Sequence, residues 1–278
     1  MLPEAAPMEN PHYGWGFPPD VSTYGAVIDH LIIVIHWFML VLFVGWGIFF
    51  VYCLIRFRQR PGHKASYESA HTKFPKFLEV GIALFEAFLL IAVSYPVWSK
   101  LRYQLPEEKD SLVIRIVAQQ FVWNIHYPGK DNVFGKTDPK LISDSNPLGL
   151  DMTDPASADD IVSVSQLHIP VNKPVIAKLS SKDVIHGFSI PVLRVKHDVI
   201  PGMVFPIWFQ AKETGQFEIA CAQLCGVGHT LMRGFVSIDT PEQYDAWMAE
   251  QVAQLIPPPA ATPVTAPTTP APAPATHE

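Results

Sequence analysis

The chain has 278 residues, enough for two domains; 49% are hydrophobic and 17% charged. Its net charge of −6, with no basic face outside one short segment, excludes a nucleic-acid partner. The hydrophobic excess is gathered near the start. Residues 1–26 read as an outer N-terminal segment, and 1–20 have no apolar core of their own. Residues 31–55 contain no Asp, Glu, Lys or Arg and predict a membrane-spanning helix, and residues 77–98 predict a second of similar length. Residues 27–98 are thus expected to form a two-helix transmembrane hairpin. Its link, 56–76, carries Arg56, Arg58, Arg60, Lys64, Lys73 and Lys76, whereas no Lys or Arg precedes Arg56. The positive-inside rule puts this link in the cytoplasm, with both termini and everything after residue 100 outside. The first run lacks a basic leading region and is too long for a signal peptide, so it stays in the membrane. Cys53 reads as a small buried hydrophobe, and His36 as a packed or hydrogen-bonded side chain. Glu79 and Glu86, seven residues apart, share one face of the second span. Ionisable groups at such positions face protein or water.

After a connector at 99–110 the pattern changes to short β-branched and aromatic runs between Pro, Gly and Asp. Strand candidates are 112–118, 121–127, 161–169, 175–179, 203–210, 216–220 and 234–238. Seven such runs predict a β-sandwich or barrel over 111–256. In the second run Trp123 reads as a core aromatic, and Phe121 as core or exposed contact. Asp138, Asp144, Asp151, Asp154, Asp159 and Asp160 make the next segment acidic, either as a solvated loop or as a surface that steers a basic partner. Thr240-Pro241-Glu242 predicts a helix N-terminus, with the helix running to about Leu255. Residues 257–278, rich in Pro, Ala and Thr, predict a disordered tail.

The densest chemistry lies between Cys221 and Met232, where Cys221, Cys225, His229 and Met232 place two thiols, an imidazole and a thioether within twelve residues. Soft sulfur donors beside imidazole suit copper. One Cys serves a mononuclear site; a second, four residues on, lets two sulfurs bridge two metals and calls for another His. His186, in Asp183-Val-Ile-His186, is the candidate. Met203, after Pro201-Gly202, reads as a packed Met rather than a ligand. A disulfide or a structural zinc would also use paired Cys, but a disulfide leaves His229 and Met232 without a role, and zinc more often takes two-residue Cys spacing.

With D-V-x-H, D-x-x-P-G and C-x-x-x-C-G-x-x-H-x-x-M in this order, the chain resembles subunit II of the haem-copper cytochrome c oxidases. The likeness extends from the first span to about residue 240. It implies an all-β, cupredoxin-like sandwich in the outer domain, preceded by the transmembrane hairpin, in a bacterial inner membrane. By the same resemblance Cys221 and Cys225 bridge two copper ions of a CuA centre, His186 and His229 bind one each, and Met232 and the backbone carbonyl of Gln223 complete the set. Relatives carry Glu at position 223, which reaches a magnesium ion at the interface with subunit I. Gln223 offers only a neutral oxygen, so no magnesium is predicted here. Many relatives have Trp where Phe121 stands, at the point of electron entry from cytochrome c. Glu79 matches a family Glu at the mouth of a proton path into subunit I, whereas relatives often have Pro at position 86.

The implied role is electron entry: electrons pass from a periplasmic cytochrome c or similar donor to copper, and on to haem in subunit I, where O2 is reduced as protons are translocated. Subunit I and subunit III are the implied partners. No C-x-x-C-H occurs, so the donor is a separate protein or domain. The matching subunit of a nitric oxide reductase would share nearly every motif. A quinol oxidase subunit would have lost the copper ligands. A membrane-anchored copper chaperone could use C-x-x-x-C and a distant His, but has no use for a second span or for Met232.

Overall fold

A computed structural model describes residues 17–65, 67 and 72–255. Two long apolar helices come first. Helix α1, Gly25–Arg56, is 32 residues long. A second helical stretch, Phe74–Tyr103, has 30 residues. At 1.5 Å per residue these reach about 45–48 Å, well beyond a hydrocarbon core of about 30 Å. The second stretch is α-helical at Phe74–Phe88 (α2), widens to a π-helix at Leu89–Ser94, and returns to α-helix at Tyr95–Tyr103 (α3). Pro96 supplies the reason. It has no N–H to give, and its ring would meet the carbonyl four residues back in a regular α-turn; the wider turn relieves both problems.

Ten strands follow: β1 Leu112–Gln119, β2 Val122–Tyr127, β3 Ile161–Val164, β4 Gln166–Pro170, β5 Val175–Ser181, β6 His186–Ile190, β7 Val195–Val199, β8 Phe205–Phe209, β9 Gly215–Cys221 and β10 Arg233–Asp239. They form two five-stranded sheets, ordered β3-β2-β1-β5-β8 and β4-β10-β9-β6-β7. Strand alternation directs the core. Leu112, Ile114, Ile116 and Ala118 of β1 are buried while the residues between them are half-exposed. Trp123, Ile125, Leu179, Phe188, Ile219 and Val236 fill the space between the sheets.

The sandwich expected from the sequence is present, with three differences. The run 161–169 is two strands in different sheets, broken at Ser165, whose φ of 56° turns the chain across the sandwich. Strands β6 and β7 are additional, because their polar and Pro-interrupted sequence hides the alternation. Phe121 is not in a strand; it occupies the turn between β1 and β2, with pairing resuming at Val122. Thr240 caps helix α4, Pro241–Leu255, as expected. Its Oγ1 accepts from Gln243 N at 3.3 Å while Gln243 Oε1 accepts from Thr240 N at 3.0 Å. The predicted tail, 257–278, lies outside the described residues.

The segment before α1 is part of the outer domain. Val21 is buried in its core, and Ser22 bridges to Ala211. Arg194 ties this segment down. Its guanidinium donates to both Asp29 carboxylate oxygens at 2.7 and 2.8 Å, to the carbonyls of Pro18 and Pro19, and to that of Pro191. The outer end of the second span is tied as well, by Trp208 Nε1 donating to the Leu101 carbonyl at 3.0 Å and Arg102 donating to that of Pro206 at 3.1 Å. Arg194→Ala leaves the Asp29 carboxylate and three carbonyls short of a donor, so it should lower the unfolding free energy by about 2–4 kcal/mol in a denaturant titration of the full chain in detergent.

Candidate metal centre

Three connections meet at one end of the sandwich. Strands β1 and β5 run parallel, so the turn after Gln119 and the crossing after Ser181 emerge side by side. Strand β6 enters antiparallel to β9 with Phe188 opposite Cys221, which brings His186 beside the start of the β9–β10 loop. That loop runs from Cys221 to Met232. Gly187 makes the approach possible: a Cβ there would stand 2.8 Å from the backbone of Ala222 and Gln223.

The candidate donors converge. His186 Nδ1, Cys221 Sγ and Cys225 Sγ all lie within 4.8 Å of one another. Met232 Sδ is 3.1 Å from His186 Nδ1 and 3.7 Å from Cys225 Sγ. His229 Nδ1 is 3.6 Å from Cys225 Sγ, and the Gln223 carbonyl oxygen is 3.1 Å from Cys221 Sγ. The two thiols are free and 3.8 Å apart. His186 is fully buried, and Cys225 and Met232 nearly so, whereas Cys221 and His229 are half-buried. A soft, mixed sulfur and nitrogen set of this kind, closed off from water on the protein side, fits copper. All six residues named from the sequence are here.

Sequence reasoning missed the groups that orient them. Asp183 Oδ1 lies 2.9 Å from His186 Nε2, which turns the Nδ1 edge of the ring toward the sulfurs. Burial pushes the Asp183 carboxyl up, but hydrogen bonds from Gln120 N, His186 and Val184 N outweigh it and hold the group below its ordinary range. Gln120 also donates from Nε2 to the Cys225 carbonyl at 2.6 Å. The D of D-V-x-H was the available signal, yet nothing in the sequence pairs it with Gln120, 63 residues away.

Phe121 is half-buried, with its ring lying on the loop; a Cβ on Gly228 would come within 2.5–2.7 Å of it. Trp123 is fully buried beneath the site, edge-on to His186 and Phe188. Met203, expected from the sequence to be packed, is instead half exposed, because it follows the Pro201-Gly202 turn outside any strand. The acidic segment uses its carboxylates internally. Asp138 and Asp154 cap short turns, Asp159 accepts from Lys130 N, and Asp160 is buried against His126 Nε2 at 2.7 Å.

Residues 112–238 match the family model for the periplasmic domain of cytochrome c oxidase subunit II. The alternative cytochrome c oxidase subunit 2 of Bradyrhizobium diazoefficiens is 35% identical over 238 residues, covering 85% of this chain and 84% of the relative. This chain belongs to the cytochrome c oxidase subunit II family. Cytochrome c oxidase subunit 2 of Cereibacter sphaeroides is 26% identical over 264 residues, covering 85% of this chain and 80% of that one. The crystal structure of the periplasmic domain of subunit II of cytochrome oxidase from Bradyrhizobium japonicum has 26% identity and a TM-score of 0.40, covering 55% of this chain and 99% of that one. The family resemblance drawn from D-V-x-H and C-x-x-x-C-G-x-x-H-x-x-M therefore holds on the family model and the 35% identical relative, and the outer domain is the two-sheet sandwich expected of it.

Two outcomes are expected. Asp183→Ala frees the His186 ring to change tautomer and rotate, and should weaken copper retention about 10–100-fold in a chelator competition. Burial, with the neighbouring Cys221, pushes the Cys225 thiol up to about 11, so its proton must leave when a metal binds. Copper affinity should therefore fall on acidification, by about tenfold per pH unit for this proton alone, in equilibrium titrations below about pH 11.

Proposed function

We propose that this subunit II is the electron-entry subunit of a membrane haem-copper oxidase, receiving electrons from a periplasmic cytochrome c or similar donor and passing them to haem in subunit I for reduction of O2. The observation that carries the reading is the convergence of His186, Cys221, Cys225, His229, Met232 and the Gln223 carbonyl at one end of a two-sheet scaffold. Two copper ions held there would supply a one-electron centre with the unpaired electron spread over both metals. Cys221, Cys225, His186 and His229 would be the residues that chiefly hold them. Met232 and the Gln223 carbonyl are the weaker donors.

The chain's own residues keep that set still. His186 starts a strand whose partners on both sides are paired, so its backbone has little freedom. Asp183 holds its ring, and Gln120 holds the Cys225 carbonyl. Phe121, half-buried with its ring beside Gly226 and Gly228 of the ligand loop, is the proposed contact for the incoming donor. Glu79, near the cytoplasmic end of the second span beside Lys73 and Lys76, is the proposed entrance of a proton path into subunit I. Both termini and the copper domain are assigned to the periplasmic side, following the basic residues of the link.

The test is metal analysis and electron paramagnetic resonance on the full chain in detergent, purified with its haem-bearing partner. The expected result is two coppers per chain, one electron shared equally by two copper nuclei, and haem reduction when reduced cytochrome c is added. One copper with a localised signal, or none, would overturn the proposal.

A further inference from the structure

Two consecutive residues of the crossing after β5 clasp two consecutive residues at the end of β1. Asp183 Oδ2 accepts from Gln120 N at 2.7 Å, and Lys182 Nζ donates to Gln119 Oε1 at 2.7 Å and to the Pro147 carbonyl. The backbone of Lys182 is tied as well, its N donating to the Ala118 carbonyl at 3.0 Å. Buried Asn124 donates from Nδ2 to the same Gln119 oxygen at 3.3 Å, which fixes that oxygen toward the ammonium. The Lys182 charge is therefore held at one place rather than swept through solvent on a free side chain.

Its surroundings differ from those of other lysines in the chain. Lys109, Lys178, Lys196 and Lys212 each pair with a carboxylate at 2.7–3.0 Å. Lys182 is half-buried, has no carboxylate within 4.0 Å among the described residues, and meets only neutral oxygens. Burial pushes its pKa down from the ordinary lysine value, and Asp183 pulls it part of the way back. An ammonium turned inward without a counter-ion loses hydration that a lysine reaching into water would keep. The position that carries this cost lies four residues before His186 and next to the carboxylate on which His186 Nε2 rests.

A carboxylate bonded to a ligand imidazole makes that ligand more basic and favours the more positive state of a metal. A fixed cation does the reverse and favours the state that has gained an electron. Partial burial limits how far salt can screen it. We propose that the Lys182 ammonium sets the reduction potential of the copper centre, offsetting the Asp183 carboxylate and holding the centre higher as an electron acceptor. The inference rests on the electron-entry reading and deepens it, because it names the group that matches the centre to its donor. A mechanical staple predicts something else: any side chain that hydrogen-bonds Gln119 would serve, charged or not.

The experiment is a potentiometric titration of the copper-loaded full chain in detergent, comparing the parent with Lys182→Gln, Lys182→Met and Lys182→Arg. Copper per chain and the denaturant midpoint are measured alongside. Both neutral variants should retain copper and show a lower midpoint potential, by about tenfold in the equilibrium with a fixed mediator, or about 59 mV for one electron. Lys182→Arg, which keeps the charge and the donors, should stay at the parent's potential. Neutral variants that bind copper at the parent's potential would overturn the inference and leave Lys182 as a staple, whatever their denaturant midpoints. Lys182→Arg falling together with the neutral pair would overturn it too, since geometry rather than charge would then be at work. A parent chain that takes up no redox-active copper would instead overturn the electron-entry reading, and this inference with it.

Discussion

Soft donors gathered out of water are the constraint on which the rest of this structure depends. An imidazole nitrogen, two sulfurs and a thioether meet at 3–4 Å, and side chains of this kind on ordinary surface loops would swing apart into solvent. The sandwich prevents that by anchoring three of these donors at the ends of paired strands. Cys221 closes β9, His186 opens β6, and Met232 stands just before β10. The loop between Cys221 and Met232 is also internally bonded, from Met232 N to the carbonyls of Gly228 and His229. Little of the site is free to reorganise when its charge changes.

One carboxylate joins the pieces. Asp183 touches His186 on one side and the backbone of Gln120 on the other, while Gln120 reaches the Cys225 carbonyl. The β1–β2 turn, the crossing between sheets and the ligand loop are thereby one hydrogen-bonded unit. Phe121 rides on that unit, so a contact made at its ring is mechanically continuous with the donors.

The outer domain is also tied to its membrane helices at two points. Arg194 gathers the start of α1 and the segment before it, and Trp208 with Arg102 gathers the end of the second span. With Val21 in the sandwich core, residues 17–24 belong to the outer domain as much as to the anchor. In the membrane the two helices meet through Phe85 of the second span and Phe38 of α1.

Much of this was legible in the residues themselves. Two apolar runs of more than twenty residues are satisfied in lipid as helices, and four soft donors in twelve residues have few chemical uses. Alternation revealed most strands because one face of each meets the core. It failed where that rule was broken: at Ser165, where a left-handed residue sends one apolar run into two sheets, and at β6, where His186, Gly187 and Ser189 are buried without being apolar. Sequence alone thus determined the kinds of donor, the number of spans and the class of fold, because these follow from local composition and period. Only the tertiary structure decided that Asp183 and Gln120 hold the site and that Phe121 lies on the ligand loop. Those depend on which strand ends come together, and no local pattern encodes the meeting of residues so far apart in the chain.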